Sequence, residues 1–296
     1  MAKTPPGSRA SWPTDWPTDV TIVERAPAKL NLALHVRARR EDGYHELETL
    51  FAFVEDGDEL RVDVAGEAGF TVTGPFAAGL AGEGGNLVLR AAAAFARDVA
   101  PLPPLSIDLV KRLPVASGIG GGSSDAAAML RVASRIAGIP ADDRRVHAVA
   151  AALGSDVPAC LTGRTALGIG RGEVLRPVSG LAGTPVLLVN PNVAVSTARV
   201  FAAWDGVDRG AIPEGDAWSI ARDGRNDLAV PAKLIAPVIG EVIDALDRLD
   251  GVTVVRMSGS GATCFALFDA GAAREAGAAA IRGAYPGWWC LETVLT

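Results

Sequence analysis

Residues 113–130, LPVASGIGGGSSDAAAML, gather Gly118, Gly120, Gly121 and Gly122 with Ser117, Ser123 and Ser124, directly ahead of an alanine-rich run. Glycine lets backbone N–H groups close around an anion, because no Cβ intervenes and left-handed torsions are open to it. A helix starting behind the glycines adds unpaired N–H groups and the positive end of its dipole. The hydroxyls of Ser123 and Ser124 suit a phosphate or Mg2+. A strand pattern before and a helix pattern after argue against a linker; a purely structural tight turn stays open on local grounds. Three known fingerprints fail. No lysine follows the glycines, as a Walker A loop requires. The dinucleotide pattern fits Gly118 and Gly120 and then meets Ser123. Gly121 and Ser123 are followed by Asp125 where a nucleophile elbow needs glycine. The stretch is an anion cradle of another kind.

Two other clusters bear chemistry. In APAKLNL, the ammonium of Lys29 and the amide of Asn31 project from one face of a strand, and DGYHELETL follows with Tyr44 and His45 after a turn. In LGSDVPACL, Asp156 stands past a helix end and before Pro158, in apolar surroundings. Each has a plain alternative: a solvated lysine, a turn histidine, a cap carboxylate. Together they offer what phosphoryl transfer needs, namely an anion cradle, a carboxylate for the acceptor hydroxyl and a cation to offset charge. A nearby lysine would hold Asp156 ionised and oriented, and Lys29 is a candidate.

The elements that must position these residues are partly legible. Regular structure is expected from about Val20. KLNLALHV alternates, with Leu30, Leu32, Leu34 and Val36 on one face and Lys29, Asn31, Ala33 and His35 on the other, which predicts a strand with one buried face. Asp-Gly then signals a turn, and TLFAFVEDGDELRVDV resumes as strand. Asn86 is expected to cap a helix that Pro101 stops. LSIDLVKRL reads as a strand leading into the glycines. Ser123, Ser124 or Asp125 is expected to cap the next helix, to about Ala137, and Asp142 a third one with Gly154 as C-cap. TPVLLVNP predicts a buried strand, followed by a helix near STARVFAAW, a long helix from about Ala232 to Leu249, a strand VTVVRM, a second glycine loop SGSGA, apolar TCFALF, a helix over 271–283 and a last strand WWCLETVL. Strands and helices mix without a βαβ repeat, so the fold class is expected to be α+β. The expected organisation is a flexible extension over 1–19, one lobe over 20–183 and a second over 184–296.

Composition narrows the partners. Apolar residues are 49% and charged residues 21% of the 296, enough for a sizeable core, and the net charge is −6. An acidic balance gives no general attraction to nucleic acid. No apolar run has the roughly 20 residues that span a bilayer, and the N-terminal residues lack the apolar core of a secretory signal, so neither nucleic acid nor membrane is an expected partner. Cys160, Cys264 and Cys290 lie far apart in apolar surroundings, which suggests inert thiols in a reducing cytoplasm.

The glycine stretch resembles the P-x3-G-L/I-G-x-G/S-S motif of the superfamily of galactokinase, homoserine kinase, mevalonate kinase and phosphomevalonate kinase. APAKLNLALHVRARREDGYHELETLF, GIGGGSSDAAA, GSDVPACL, RNDL and RMSGSGATCFALF resemble, in order from Arg25 to Phe268, segments of its branch that phosphorylates a cytidine-diphosphate-linked methylerythritol; DGYHELETL is the segment that separates that branch from its relatives. The resemblance implies a fold of two α+β lobes with the active site in the cleft between them, and transfer of the γ-phosphoryl of ATP, with Mg2+, to a hydroxyl of that small molecule. It implies Asp156 as base and Lys29 as its electrostatic partner. It implies a phosphate loop of Pro114, Val115, Ala116, Ser117, Gly118, Ile119, Gly120, Gly121, Gly122, Ser123 and Ser124, with Asn86 and Lys111 near the nucleotide. Asn31, Tyr44, His45 and Phe201 are implied to hold the cytidine substrate, the base stacking between Tyr44 and Phe201. The metal ligands and oligomeric state are not implied. Ala116 and Ser117 depart from glycines common in this branch. A homoserine or mevalonate kinase is the nearest alternative, and Tyr44 with His45 argues against it. A non-catalytic nucleotide sensor would lack Lys29 or Asp156. An RNA-binding module would need an aromatic binding motif that is missing.

Overall fold

In a computed structural model, residues 21–64, 67–80 and 85–296 are described; the expected extension over 1–19 lies outside them. The first sheet has six strands: β1 (Thr21–Arg39), β2 (His45–Val64), β3 (Gly69–Thr73), β4 (Leu105–Val110), β5 (Ala166–Gly170) and β6 (Val174–Pro177). Their order is β3-β4-β2-β5-β6, with β1 antiparallel along β2. The β1–β2 turn is local chemistry. Asp42 accepts a hydrogen bond from the Tyr44 amide at 3.1 Å, and Gly43 takes φ +84°, a torsion that favours glycine. Against this sheet pack α1 (Leu87–Asp98), α2 (Gly121–Ala137), α3 (Arg144–Leu153) and α4 (Val157–Thr162).

The second sheet is antiparallel, order β10-β7-β9-β8, from β7 (Pro185–Asn190), β8 (Val252–Met257), β9 (Cys264–Phe268) and β10 (Trp289–Val294). Its helices are α5 (Thr197–Ala202), α6 (Ala217–Asp223), α7 (Ala229–Ile235), α8 (Val238–Asp247) and α9 (Gly271–Ala284). A shared apolar cluster joins the two sheets: Leu30, Leu32 and Leu50 from the first meet Val186, Leu188 and Phe265 from the second. Strands and helices mix in an α+β arrangement, and among the described residues no helix is long and apolar enough to cross a membrane.

Four expectations are corrected. The strand holding Lys29 is buried on both faces, not one: the residues from Ala28 to Val36 are all buried, because β1 lies beneath α2 on one side and against the second sheet on the other. Its alternation also breaks, since Asn31 pairs with Phe51 and Ala33 with Leu50, leaving Leu32 as an extra residue in a bulge. The helix after the glycines starts at Gly121 with Gly120 as cap, φ +66°, not at Ser123, Ser124 or Asp125. Ser124 and Asp125 are drawn inward instead, to Pro27 and Lys111. The third helix is capped by Asp143, which accepts from the Arg145 amide at 2.8 Å, rather than by Asp142. The long helix expected from Ala232 is two, α7 and α8, parted at Pro237, which has no N–H to give and holds Ala236 extended. The β5–β6 hairpin had no counterpart among the predicted elements.

Candidate active site

The glycine loop runs from the end of β4 to the first turn of α2, and a buried ion cluster holds its two ends. Asp58 on β2 accepts from the amides of Arg112 and Leu113 at 2.6 and 2.8 Å through one oxygen. Its other oxygen takes a hydrogen bond from the Lys111 ammonium at 2.5 Å. That ammonium also donates to Asp125 of α2 at 2.7 Å. Strand end, loop start and helix start are thereby fastened to one cation. Burial opposes the Lys111 charge, but the carboxylates of Asp125 and Asp58 outweigh it and raise the pKa. Asp125 is pushed up to about 7, first by burial and against the pull of Lys111, with Asp58 adding repulsion.

The loop's glycines are required by neighbouring backbone. Gly118 has φ +79°, and a Cβ there would come within 2.5 Å of the Ser258 carbonyl oxygen, so the two glycine loops touch. Ser258 stitches this contact. Its hydroxyl donates to the Gly118 carbonyl at 3.0 Å and accepts from the Asn31 amide at 3.1 Å. Asn226 supports the second loop by donating to the Met257 and Gly259 carbonyls.

Lys29 and Asp156 meet beside this loop. The Lys29 amide donates to the Ile119 carbonyl at 2.9 Å, tying β1 to the loop. Its ammonium, in a side chain only 3% exposed, lies 2.9 Å from Asp156 Oδ2 and donates to Asn31 Oδ1 at 2.8 Å. Asn31 in turn donates to Thr49, and Thr49 to the Ala33 carbonyl, so every hydrogen-bonding step behind Lys29 is held. Asp156 precedes α4, makes no capping hydrogen bond with its side chain, and keeps its carboxylate partly exposed. A carboxylate that is not spent on a cap, and is fixed by one ammonium, can accept a proton.

A cavity of about 310 Å³ collects these groups. Lys29, Asn31, Ala116, Ser117, Gly118, Gly120, Gly121, Gly122, Ser123, Asp156 and Phe201 line it, with Gly259 and Ser260 of the second glycine loop, and with Thr49, Arg171 and Thr197 among residues not anticipated from sequence. A smaller cavity of about 180 Å³ adjoins it through Ala116, Gly121 and Gly122, and is lined by Asn86, Lys111, Pro114 and Val115. Two loop residues face elsewhere. Ile119 is buried in the core between the sheets, and the Ser124 hydroxyl donates to the Pro27 carbonyl at 2.7 Å. His45 packs against Phe201, ring centroids 4.9 Å apart, and its Nε2 is buried with no partner among the described residues. Burial, then the Arg39 charge, lower its pKa, which keeps the ring neutral at pH 7. Tyr44 is half exposed, is not on the cavity wall, and stacks on Arg171, whose guanidinium carbon is 4.8 Å from the ring centroid.

Residues 86–164 match the model of the GHMP kinases N terminal domain, and residues 211–287 that of the GHMP kinases C terminal domain. The chain is 51% identical to 4-diphosphocytidyl-2-C-methyl-D-erythritol kinase of Rhizorhabdus wittichii, over 98% of this chain and 99% of the relative. The chain belongs to the GHMP kinase family. The same-named kinase of Novosphingobium aromaticivorans is 49% identical over 93% of each chain. A crystal structure of 4-(cytidine 5'-diphospho)-2C-methyl-D-erythritol kinase superposes on this GHMP kinase with a TM-score of 0.74 at 36% identity, covering 93% of this chain and 99% of that one. Homoserine kinase from Cytophaga hutchinsonii shares the fold alone, at TM-score 0.67 and 16% identity.

Several site residues of this GHMP kinase had no sequence signal strong enough to find them. Asp58 is a single polar residue in a strand, and only its burial, at 1% exposure, marks it out. Thr49 and Asn226 lie inside the segments DGYHELETL and RNDL, but only their burial, at 1% and 8% exposure, gives either residue a role. Arg171 sits between Gly170 and Gly172, both with positive φ, in the hairpin after β5. The flanking glycines were the available cue to that tip.

Proposed function

We propose that this GHMP kinase transfers the γ-phosphoryl group of ATP to the 2-hydroxyl of 4-diphosphocytidyl-2-C-methyl-D-erythritol, giving the 2-phosphate and ADP in the non-mevalonate route to isoprenoid precursors. The observation that carries this reading is the 2.9 Å Lys29–Asp156 pair opening into the same cavity as the glycine loop.

In this reading Asp156 takes the proton of the acceptor hydroxyl as the new P–O bond forms and the bond to the β-phosphate oxygen breaks. Lys29 holds the carboxylate in place and offsets charge on the transferring group. Loop amides at the start of α2 hold the phosphates, aided by the helix dipole. The smaller cavity, with Asn86 and Lys111, takes the nucleoside of ATP. Lys111 acts there mainly by fastening the loop, since two carboxylates engage its ammonium. Phe201 stacks on the cytosine, and the neutral ring of His45 offers its unpartnered Nε2 to the base edge. Asn31 lines the cavity beside Lys29, and Tyr44, off the cavity wall, serves the acceptor end through its stack on Arg171.

Mg2+ fits the donors present. The ion is proposed to arrive with ATP and to keep phosphate and water ligands. Ser123, on the cavity wall, would hold it through its hydroxyl. When bound, the ion neutralises phosphate charge. The lobes are proposed to divide near Thr184, and the setting is proposed to be a reducing cytoplasm, where the buried Cys160 thiol, raised to about 12 mainly by burial, stays protonated.

The test is an ATP-dependent assay on the cytidine-linked alcohol, with product mass measured. A gain of one phosphoryl group at the 2-position is expected. Turnover of homoserine or mevalonate, with none of the cytidine-linked alcohol, would overturn the assignment.

A further inference from the structure

The acceptor, on the reading above, brings a diphosphate into a cavity whose floor already receives the phosphates of ATP. Charge on the wall is therefore decisive. Among the described residues, two of those lining the cavity are basic, Lys29 and Arg171. Lys29 is committed to Asp156 and Asn31. Arg171 is differently placed. Its Nε is 3.3 Å from Glu173, and among the described residues its two terminal nitrogens have no hydrogen-bond acceptor.

Its position is set by backbone. Gly170 pairs with Leu47 of β2, so the tip of the β5–β6 hairpin stands beside the strand that begins at His45. The Arg171 amide donates to Glu173 at 2.6 Å, which closes the tip, and the guanidinium lies over the Tyr44 ring at 4.8 Å. Leu47 and Phe201 line the same cavity as Arg171, and Phe201 packs on His45, the first residue of β2. Arg171 thus lies at the mouth expected to hold the nucleoside, with a planar face spent on an aromatic ring and an edge of N–H donors left over. Guanidinium donors match phosphate oxygens in pairs, and stacking on an aromatic ring orders the side chain before a ligand arrives.

We propose that Arg171 is a specificity-determining residue of the acceptor site: braced on Tyr44, it binds the diphosphate of the cytidine-linked alcohol, and so favours a nucleoside diphosphate over an uncharged alcohol. The proposal rests on the cytidine-linked reading of the site. It assigns Tyr44, which is off the cavity wall, the duty of a platform that orders a cation.

The experiment compares wild type, Arg171→Gln and Arg171→Lys by calorimetric titration with CDP and with cytidine, and by steady-state kinetics with the full acceptor. Arg171→Gln is expected to weaken CDP binding about tenfold or more, the usual size of a lost charge-assisted hydrogen bond. Cytidine binding and the KM for ATP should change less than about twofold, the KM for the acceptor should rise with CDP, and Arg171→Lys should recover part of the loss. Equal weakening of CDP and cytidine would overturn the proposal by assigning Arg171 to the base. An unchanged CDP affinity, with an unchanged melting temperature, would overturn it also. If wild type binds neither CDP nor cytidine, the cytidine reading itself fails and takes this proposal with it. If wild type binds both alike and still phosphorylates the acceptor, that reading stands and the diphosphate role of Arg171 alone falls.

Discussion

The Lys29 ammonium and the Asp156 carboxylate lie 2.9 Å apart, one on a buried strand and the other at the start of a short helix. The lysine side chain is 3% exposed and the aspartate 32%, so the ammonium comes from the core while the carboxylate faces the cavity. The two residues act as one unit, and their removal should produce different signatures.

Asp156→Asn keeps the shape and removes the proton acceptor. ATP affinity should hold within about twofold while kcat falls by roughly 10²–10⁴, the ordinary worth of a positioned base. Single-turnover measurement with saturating ATP checks this; near wild-type turnover would sink the base assignment.

Lys29→Ala should lower turnover and stability together. It strips Asn31 Oδ1 of its donor inside the core, and an unsatisfied buried acceptor costs about 1–3 kcal/mol. Denaturant unfolding alongside kinetics separates the two. A loss of stability with kcat preserved would make Lys29 a structural residue only.

Asp125 makes stability pH-dependent. Its folded pKa, about 7, stands above the ordinary 3.8, so the folded protein binds the proton more tightly than the unfolded chain does. The contribution is full below about pH 4 and is lost as pH rises through about 7. Asp125→Asn should flatten this component. The check is thermal melting of both proteins from pH 5 to pH 8: the wild type should lose stability relative to the variant as pH rises, and parallel curves would refute the assignment.

Gly118→Ala should disturb both glycine loops. Its Cβ would sit 2.5 Å from the Ser258 oxygen at φ +79°, against backbone that cannot swing away. A loss of roughly 1–3 kcal/mol and of most activity is expected. Gly43→Ala, at φ +84° with nothing within 4 Å, bears strain without collision, and should cost only about 1 kcal/mol. Equal melting temperatures for the two variants would mean that the loop contact is loose.

Phe201→Ala should raise the KM for the cytidine-linked alcohol by about 5- to 100-fold, the range expected for a lost base stack, while leaving the KM for ATP nearly unchanged. Equal increases for both substrates would move Phe201 out of the acceptor site.

The sequence by itself determined the chemistry-bearing groups and most of the elements that hold them, because those signals are local. Gly118 and its neighbours, the Asp42–Gly43 turn, the Asn86 cap and the extended character of β1, though not which faces it buries, are read within a few residues. It determined the family by the same means, through short segments in order. Only the tertiary structure decided that Lys29 meets Asp156, and that Ser258 joins Asn31 to Gly118. It also decided where polar residues inside helices and strands would point. Asp125 has every local feature of a helix cap, yet its carboxylate turns inward because Lys111, buried beneath the loop, offers a stronger electrostatic partner than a backbone amide does. Arg171 acquires meaning only because β5 pairs with β2 and brings the hairpin tip over Tyr44. Long-range pairings of this kind depend on which surfaces the whole chain can bury together, a property no short stretch of sequence expresses.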